Sequence, residues 1–163
     1  MNRKKLDQLI AEALKQKHGP PIAILDLDGT LFDVTHRTVE IMHRFLKNPE
    51  IKAQYPTEFE LLANLKYEGY LYSVERTLNS IGIDRYSEHS ASFLMAAEEF
   101  WFRHFFTDEL LAYDQAFPGA ASCVNMLDRM GVRIIYLSGR DIPNMHKGTV
   151  ASLGKFGFPT TGD

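Results

Sequence analysis

The chain has 163 residues, 45% hydrophobic and 24% charged, with 18 basic against 21 acidic side chains and a formal charge of −3. A prior of roughly 150 residues per domain gives one domain with room for an insertion. This much apolar side chain excludes disorder as the main state, because its burial offsets the entropy of folding. The absence of a basic excess argues against nucleic acid as an obligate partner. The lone cysteine, Cys123, cannot make an internal disulfide, so nothing calls for an oxidising compartment. No stretch approaches the ~18 uninterrupted apolar residues of a membrane span. The N-terminus, MNRKKLDQLIAEALKQK, lacks the apolar run of a secretory signal. No membrane partner is expected, and the cytoplasm is the expected location.

Residues 2–17 read as an amphipathic helix, with Leu6, Leu9, Ile10, Ala13 and Leu14 at helical spacing. Gly19-Pro20-Pro21 stops it. Its apolar stripe is modest, so it is expected to pack on a core rather than lie on a membrane. Ile22–Leu27 is a nearly continuous apolar run closed by Asp28-Gly29. That pattern predicts a strand buried on both faces, as in a parallel sheet. From Asp33 to about Phe117 the pattern is helical and no strand is expected. Helices are predicted over 35–47, from near Thr57, over 72–81 and over 89–106. Thr57 and Glu60 stand at capping-box spacing. Pro118-Gly119 is punctuation, and 119–130 reads as a helix ended by Gly131. Val132–Leu137 is a second run of buried-strand type, closed by Ser138-Gly139-Arg140. A last helix is expected from Asn144, as its N-cap, to Phe156.

Strand–helix–strand order predicts a parallel α/β sheet. Such sheets bind ligands at the carboxyl ends of their strands, and both polar clusters fall at such ends. Asp26 and Asp28 share a face if the extended conformation persists. Two close carboxylates repel, and buried unpaired ones cost several kcal/mol. A hard divalent cation, Mg²⁺ foremost, resolves that conflict. Gly29 allows a sharp turn, and Thr30 offers a hydroxyl.

The run DLDGTLFD, residues 26–33, resembles the first motif of the haloacid dehalogenase superfamily, in its phosphatase branch. Four fixed letters recur by chance in roughly one in a thousand chains of this length, before context is added. IIYLSGR, residues 134–140, resembles the second motif, and the preceding FPGAASCVNMLDRMGV resembles the helix leading into it. The resemblance implies a three-layer, Rossmannoid α/β core over 1–34 and 117–163, with a helical cap inserted at 35–116. It implies Asp26 as nucleophile and Asp28 as general acid and then base, with Mg²⁺ held by Asp26 and Asp28. Ser138 and Gly139 would hold the phosphoryl group, with Thr30 and Arg140 as further phosphate-binding candidates. The expected substrate is a small phosphorylated compound, because a closing cap must exclude water.

Two further motifs of the superfamily, a lysine on a later helix and an acidic residue after a later strand, find no match. Lys147 and Lys155 come too early, and Asp163 has no strand before it. Two parallel strands are few for a stable sheet, and their bare edge is an aggregation liability. The sequence therefore reads as part of a longer protein, with a second subunit or self-association at the open edge as the rival. A module that binds Mg²⁺, phosphate or a partner without turnover is the alternative function.

Other residues carry plainer expectations. Arg37 is expected as a solvated helix charge, with reach toward a substrate phosphate as its second role. Arg140 is balanced between substrate and structural contact. His36 and His43 are expected as surface imidazoles, and the six histidines show no zinc spacing. Phe100, Trp101, Phe102, Phe105 and Phe106 are expected to pack within the cap, with gating or a dimer contact second. Cys123 is expected as buried packing.

Overall fold

The structure is a computed structural model that describes residues 3–15 and 19–160. The expectations for residues 2, 16, 17 and Asp163 lie outside the described residues. The described chain forms two compact units. One takes in the chain up to Phe32, Ala116–Gly139 and the stretch from Leu153; the other takes in Asp33–Gln115 and Arg140–Ser152.

The first unit is α/β. Strand β1 (Ile22–Leu25) pairs in parallel with β4 (Arg133–Tyr136), in the register Ile22 to Arg133 and Leu25 to Tyr136. Helices α1 (Arg3–Leu14) and α7 (Ala120–Arg129) complete it with the end of α8 (Ile142–Lys155). Ile10 of α1 is buried against Leu127 of α7 and Val132, with Ala23 and Ile134 of the strands alongside. Leu25, Ile134 and Tyr136 pack on a second cluster formed by Leu27, Phe32, Val124 and Phe158. The side chains between them point the other way. Ile22, Ile24 and Leu137 are 55%, 63% and 64% exposed. This corrects the expectation of strands buried on both faces: among the described residues, helices cover one face only. A continuous apolar run looks the same whether one face or two are covered.

The second unit is helical. It holds α2 (Thr35–Leu46), α3 (Pro49–Gln54), α4 (Pro56–Ala63), α5 (Val74–Ser80) and α6 (Glu88–Phe105). Their apolar stripes meet in one core that includes Ile41, Phe45, Leu62, Leu78, Phe93 and Leu94. Ser73 and Ser87 cap α5 and α6 by accepting from Arg76 N and Ser90 N. Phe105 is buried and Phe100, Trp101 and Phe106 pack against the core, whereas Phe102 is exposed. His43 is exposed and Cys123 is half-buried.

Three local expectations change. Pro56 at the first helical position, not a Thr57 capping box, opens α4, because a fixed φ suits that position. Asp141 rather than Asn144 caps α8, its Oδ1 accepting from Asn144 N at 3.2 Å. Two-residue strands β2 (Phe32–Asp33) and β3 (Gln115–Ala116) pair with each other, inside a stretch where no strand was expected.

Arg140–Ser152 belongs to the helical unit, whereas the sequence places it with the α/β part. Its contacts explain this. Arg140 pairs with Asp114, Met145 is fully buried, and Ser152 Oγ donates to Leu111 O at 3.2 Å. At Gly148 the backbones come too close for a side chain. A Cβ there would lie 2.6 Å from Asp108 O and 2.9 Å from Leu111 Cδ1. Gly148→Ala is therefore expected to cost about 1–3 kcal/mol by overpacking, read as a lowered urea midpoint.

The Tyr70 hydroxyl is buried and has no hydrogen-bond partner among the described residues, and burial pushes its phenol up to about 12. An unsatisfied buried polar group costs about 1–3 kcal/mol. Tyr70→Phe is expected to leave stability unchanged or to raise it by about 1 kcal/mol. A lower melting temperature in that variant would contradict the unsatisfied state.

Candidate active site

The ladder of β1 ends at Leu25, and the next seven residues form a tight loop. Leu27 O accepts from the amides of Thr30, Leu31 and Phe32, and Gly29 N donates to Phe32 O at 2.8 Å. Gly29 sits at φ +78°, a conformation that costs other residues a Cβ clash. The loop leaves Asp26 exposed and Asp28 half-buried. Thr30 Oγ1 donates to Asp26 Oδ2 at 3.0 Å. The hydroxyl therefore orients one carboxylate oxygen.

The adjacent strand brings the second cluster to the same end of the sheet. Leu137 N donates to Leu25 O at 2.9 Å, which carries the parallel pairing one residue past β4. Ser138 and Gly139 follow, half-buried and exposed. Together Ile24, Asp26, Leu137, Ser138 and Gly139 line an open depression of about 300 Å³. That size admits a phosphate ester's head group with room for water. Asp26 is exposed, so the burial conflict expected at the strand end is absent for that carboxylate. The case for a cation there rests on donor chemistry instead.

Arg140 belongs to the helical unit. Its side chain is 3% exposed, with Nη2 on Asp114 Oδ2 at 2.8 Å and Nη1 on Thr149 Oγ1 at 3.2 Å. Of its two expected roles, the structural one has these partners. Arg37 is a correction. It is fully buried, with Nε and Nη2 on the two Asp114 oxygens at 2.8 Å, Nη1 on Phe105 O at 3.0 Å and its guanidinium 4.0 Å from the Phe105 ring. Asp114 carried no local signal in the sequence, because its partners lie 77 and 26 residues away.

Asp33, the last residue of the first motif, accepts from Thr35 N at 2.9 Å and Tyr67 Oη at 3.2 Å. Burial works against its charge, but these hydrogen bonds and nearby His36 outweigh it and hold the carboxyl below its usual range. His36 stacks on Tyr67, with ring centroids 4.6 Å apart.

A parallel strand pair presenting a carboxylate from one strand end and a Ser-Gly turn from the other defines an α/β strand-end site. The family model for haloacid dehalogenase-like hydrolases matches residues 21–163. The chain therefore belongs to the haloacid dehalogenase-like hydrolase family. A search of curated proteins finds no match. No described helix is long and apolar enough to cross a membrane.

Proposed function

We propose that the protein hydrolyses a small phosphomonoester through a phosphorylated Asp26. The observation that carries this reading is the placement of Asp26 beside Ser138 and Gly139 on one depression at adjacent strand ends. An Asp26 oxygen attacks phosphorus in line, the P–O bond to the leaving group breaks, and Asp28 gives its proton to the departing oxygen. Asp28 then takes a proton from a water, which attacks the same phosphorus. The Asp26–phosphorus bond breaks and inorganic phosphate leaves. The Ser138 hydroxyl and Gly139 N–H donate to the phosphoryl oxygens throughout, and Thr30 holds Asp26 in aim.

Magnitudes say where the rate must come from. Phosphate-monoester hydrolysis needs enhancements of up to ~10²¹, close to 29 kcal/mol at about 1.36 per decade. General acid–base help supplies only about 10²–10⁴. Electrostatic stabilisation of the phosphoryl oxygens must supply most of the rest.

Mg²⁺ fits the donor set. Asp26 is an exposed carboxylate with Asp28 two residues on, and Mg²⁺ is commonly held by one or two carboxylates, several waters and the substrate's own phosphate. Among the described residues no three His, Cys, Asp or Glu gather into an all-protein metal site. Bound there, Mg²⁺ would neutralise phosphoryl charge. The helical insertion between the two motifs supports a small substrate over a phosphoprotein.

The test is turnover of a generic aryl phosphate by the purified chain, with Mg²⁺ and with a chelator. Mg²⁺-dependent release of phosphate is expected. Phosphate binding without turnover selects the non-catalytic alternative, and turnover of phosphoproteins alone overturns the substrate class.

A further inference from the structure

We infer that residues 64–73 form a strap on the helical unit that opens ahead of the rest of that unit, with the Tyr67–Asp33 bond as its latch. The strap joins α4 to α5 and holds one 3-10 turn, Tyr67–Gly69. Its residues are unevenly seated. Tyr70 is buried, whereas Tyr67, Leu71 and Tyr72 are exposed. Two hydrogen bonds fasten the strap to its neighbours. Tyr67 Oη donates to Asp33 Oδ2 at 3.2 Å, and Leu71 N donates to Thr77 Oγ1 at 2.9 Å. The turn's own bonds are local, from Gly69 N to Lys66 O and from Tyr70 N to Tyr67 O.

Opposing forces meet here. Asp33 is held in place for Tyr67, because its other oxygen accepts from Thr35 N at the start of α2. The Tyr67 ring also stacks on His36 of the same helix. Both contacts favour the closed strap, as does burial of the Tyr70 ring. The Tyr70 hydroxyl works the other way. Tyr70 borders a small void with Thr38 and Met42 of α2, Leu62 of α4, and Val74, Thr77 and Leu78 of α5. Thr38 Oγ1 accepts from Trp101 Nε1, and Thr77 Oγ1 donates to Ser73 O. The Tyr70 hydroxyl has no such partner among the described residues. The void is too small to hold a water, so the hydroxyl is hydrated when the strap lifts. Opening therefore relieves an unsatisfied polar group and bares the apolar junction of three helices. Segments held by few buried contacts are the ones that open below the global unfolding free energy.

The test is amide hydrogen exchange, read residue by residue in the whole chain, unaltered and as Tyr67→Phe and Tyr70→Phe. In the unaltered chain the Tyr70 and Leu71 amides are expected to exchange faster than those of Ile41 and Phe93, which are fully buried in α2 and α6. Tyr67→Phe keeps the ring and removes the donor. It is expected to speed the strap amides by about 2- to 12-fold, the worth of one hydrogen bond, and to leave Ile41 and Phe93 unchanged. Tyr70→Phe is expected to slow the strap amides by roughly fivefold or more, because the unsatisfied hydroxyl is gone. Strap amides no faster than Ile41 and Phe93 would mean that the strap opens only when the unit unfolds, which overturns the inference. Unchanged strap rates in Tyr67→Phe, or strap rates that Tyr70→Phe does not slow, overturn it as well. None of these readouts needs turnover, so each holds whether or not the chain is a phosphatase.

Discussion

Arg37→Met is expected to destabilise the helical unit by about 3–5 kcal/mol, the cost of stripping one partner from a buried ion pair. Arg37 and Asp114 are both fully buried and meet through two parallel bonds, the geometry that makes such pairs strong. Methionine keeps much of the stem's packing but leaves the carboxylate with one fewer cation and frees Phe105 O. Trp101, the single tryptophan, lies on α6 and reports this unit directly. A urea transition followed by its fluorescence should shift to lower midpoint, with little dependence on salt, because buried pairs are poorly screened. A loss under about 1 kcal/mol, the worth of a surface pair, would contradict the buried network.

Asp26→Asn is expected to abolish turnover. Removing a nucleophile costs on the order of 10⁶-fold where it has been measured in other enzymes. The amide is nearly isosteric and still accepts from Thr30, so the fold should be unaffected. Asp26 is exposed, and a surface change of this kind shifts stability by less than about 0.5 kcal/mol. Activity at the native level in this variant would remove Asp26 from the chemistry. A large loss of stability would mean that the strand end needs its charge for folding.

The elements with long, regular periodicity were legible in the sequence. The helices over 35–47, 72–81, 89–106 and 119–130 stand within a few residues of their expected bounds, as do both principal strands. Much of what the sequence did not show depends on partners far away along the chain. β2 and β3 are too short to display a period. Arg37 looks like any charged helix residue until Asp114, 77 residues on, is brought against it. Arg140–Ser152 reads as the helix of an α/β repeat, yet its backbone at Gly148 and the pairing of Arg140 tie it to the helical unit. The candidate site could be singled out in the sequence because its parts are local. Asp26, Gly29 and Thr30 lie within five residues, and Ser138-Gly139 ends a strand whose parallel pairing the α/β order implied.

The most direct test of Asp26 as a nucleophile is to quench the protein in acid during turnover of an aryl phosphate and locate any covalent phosphoryl group by peptide mass. One phosphoryl group on Asp26, released by hydroxylamine as an acyl phosphate should be, is the predicted result. Hydrolysis with no covalent adduct, or with the phosphoryl group on another residue, would contradict it.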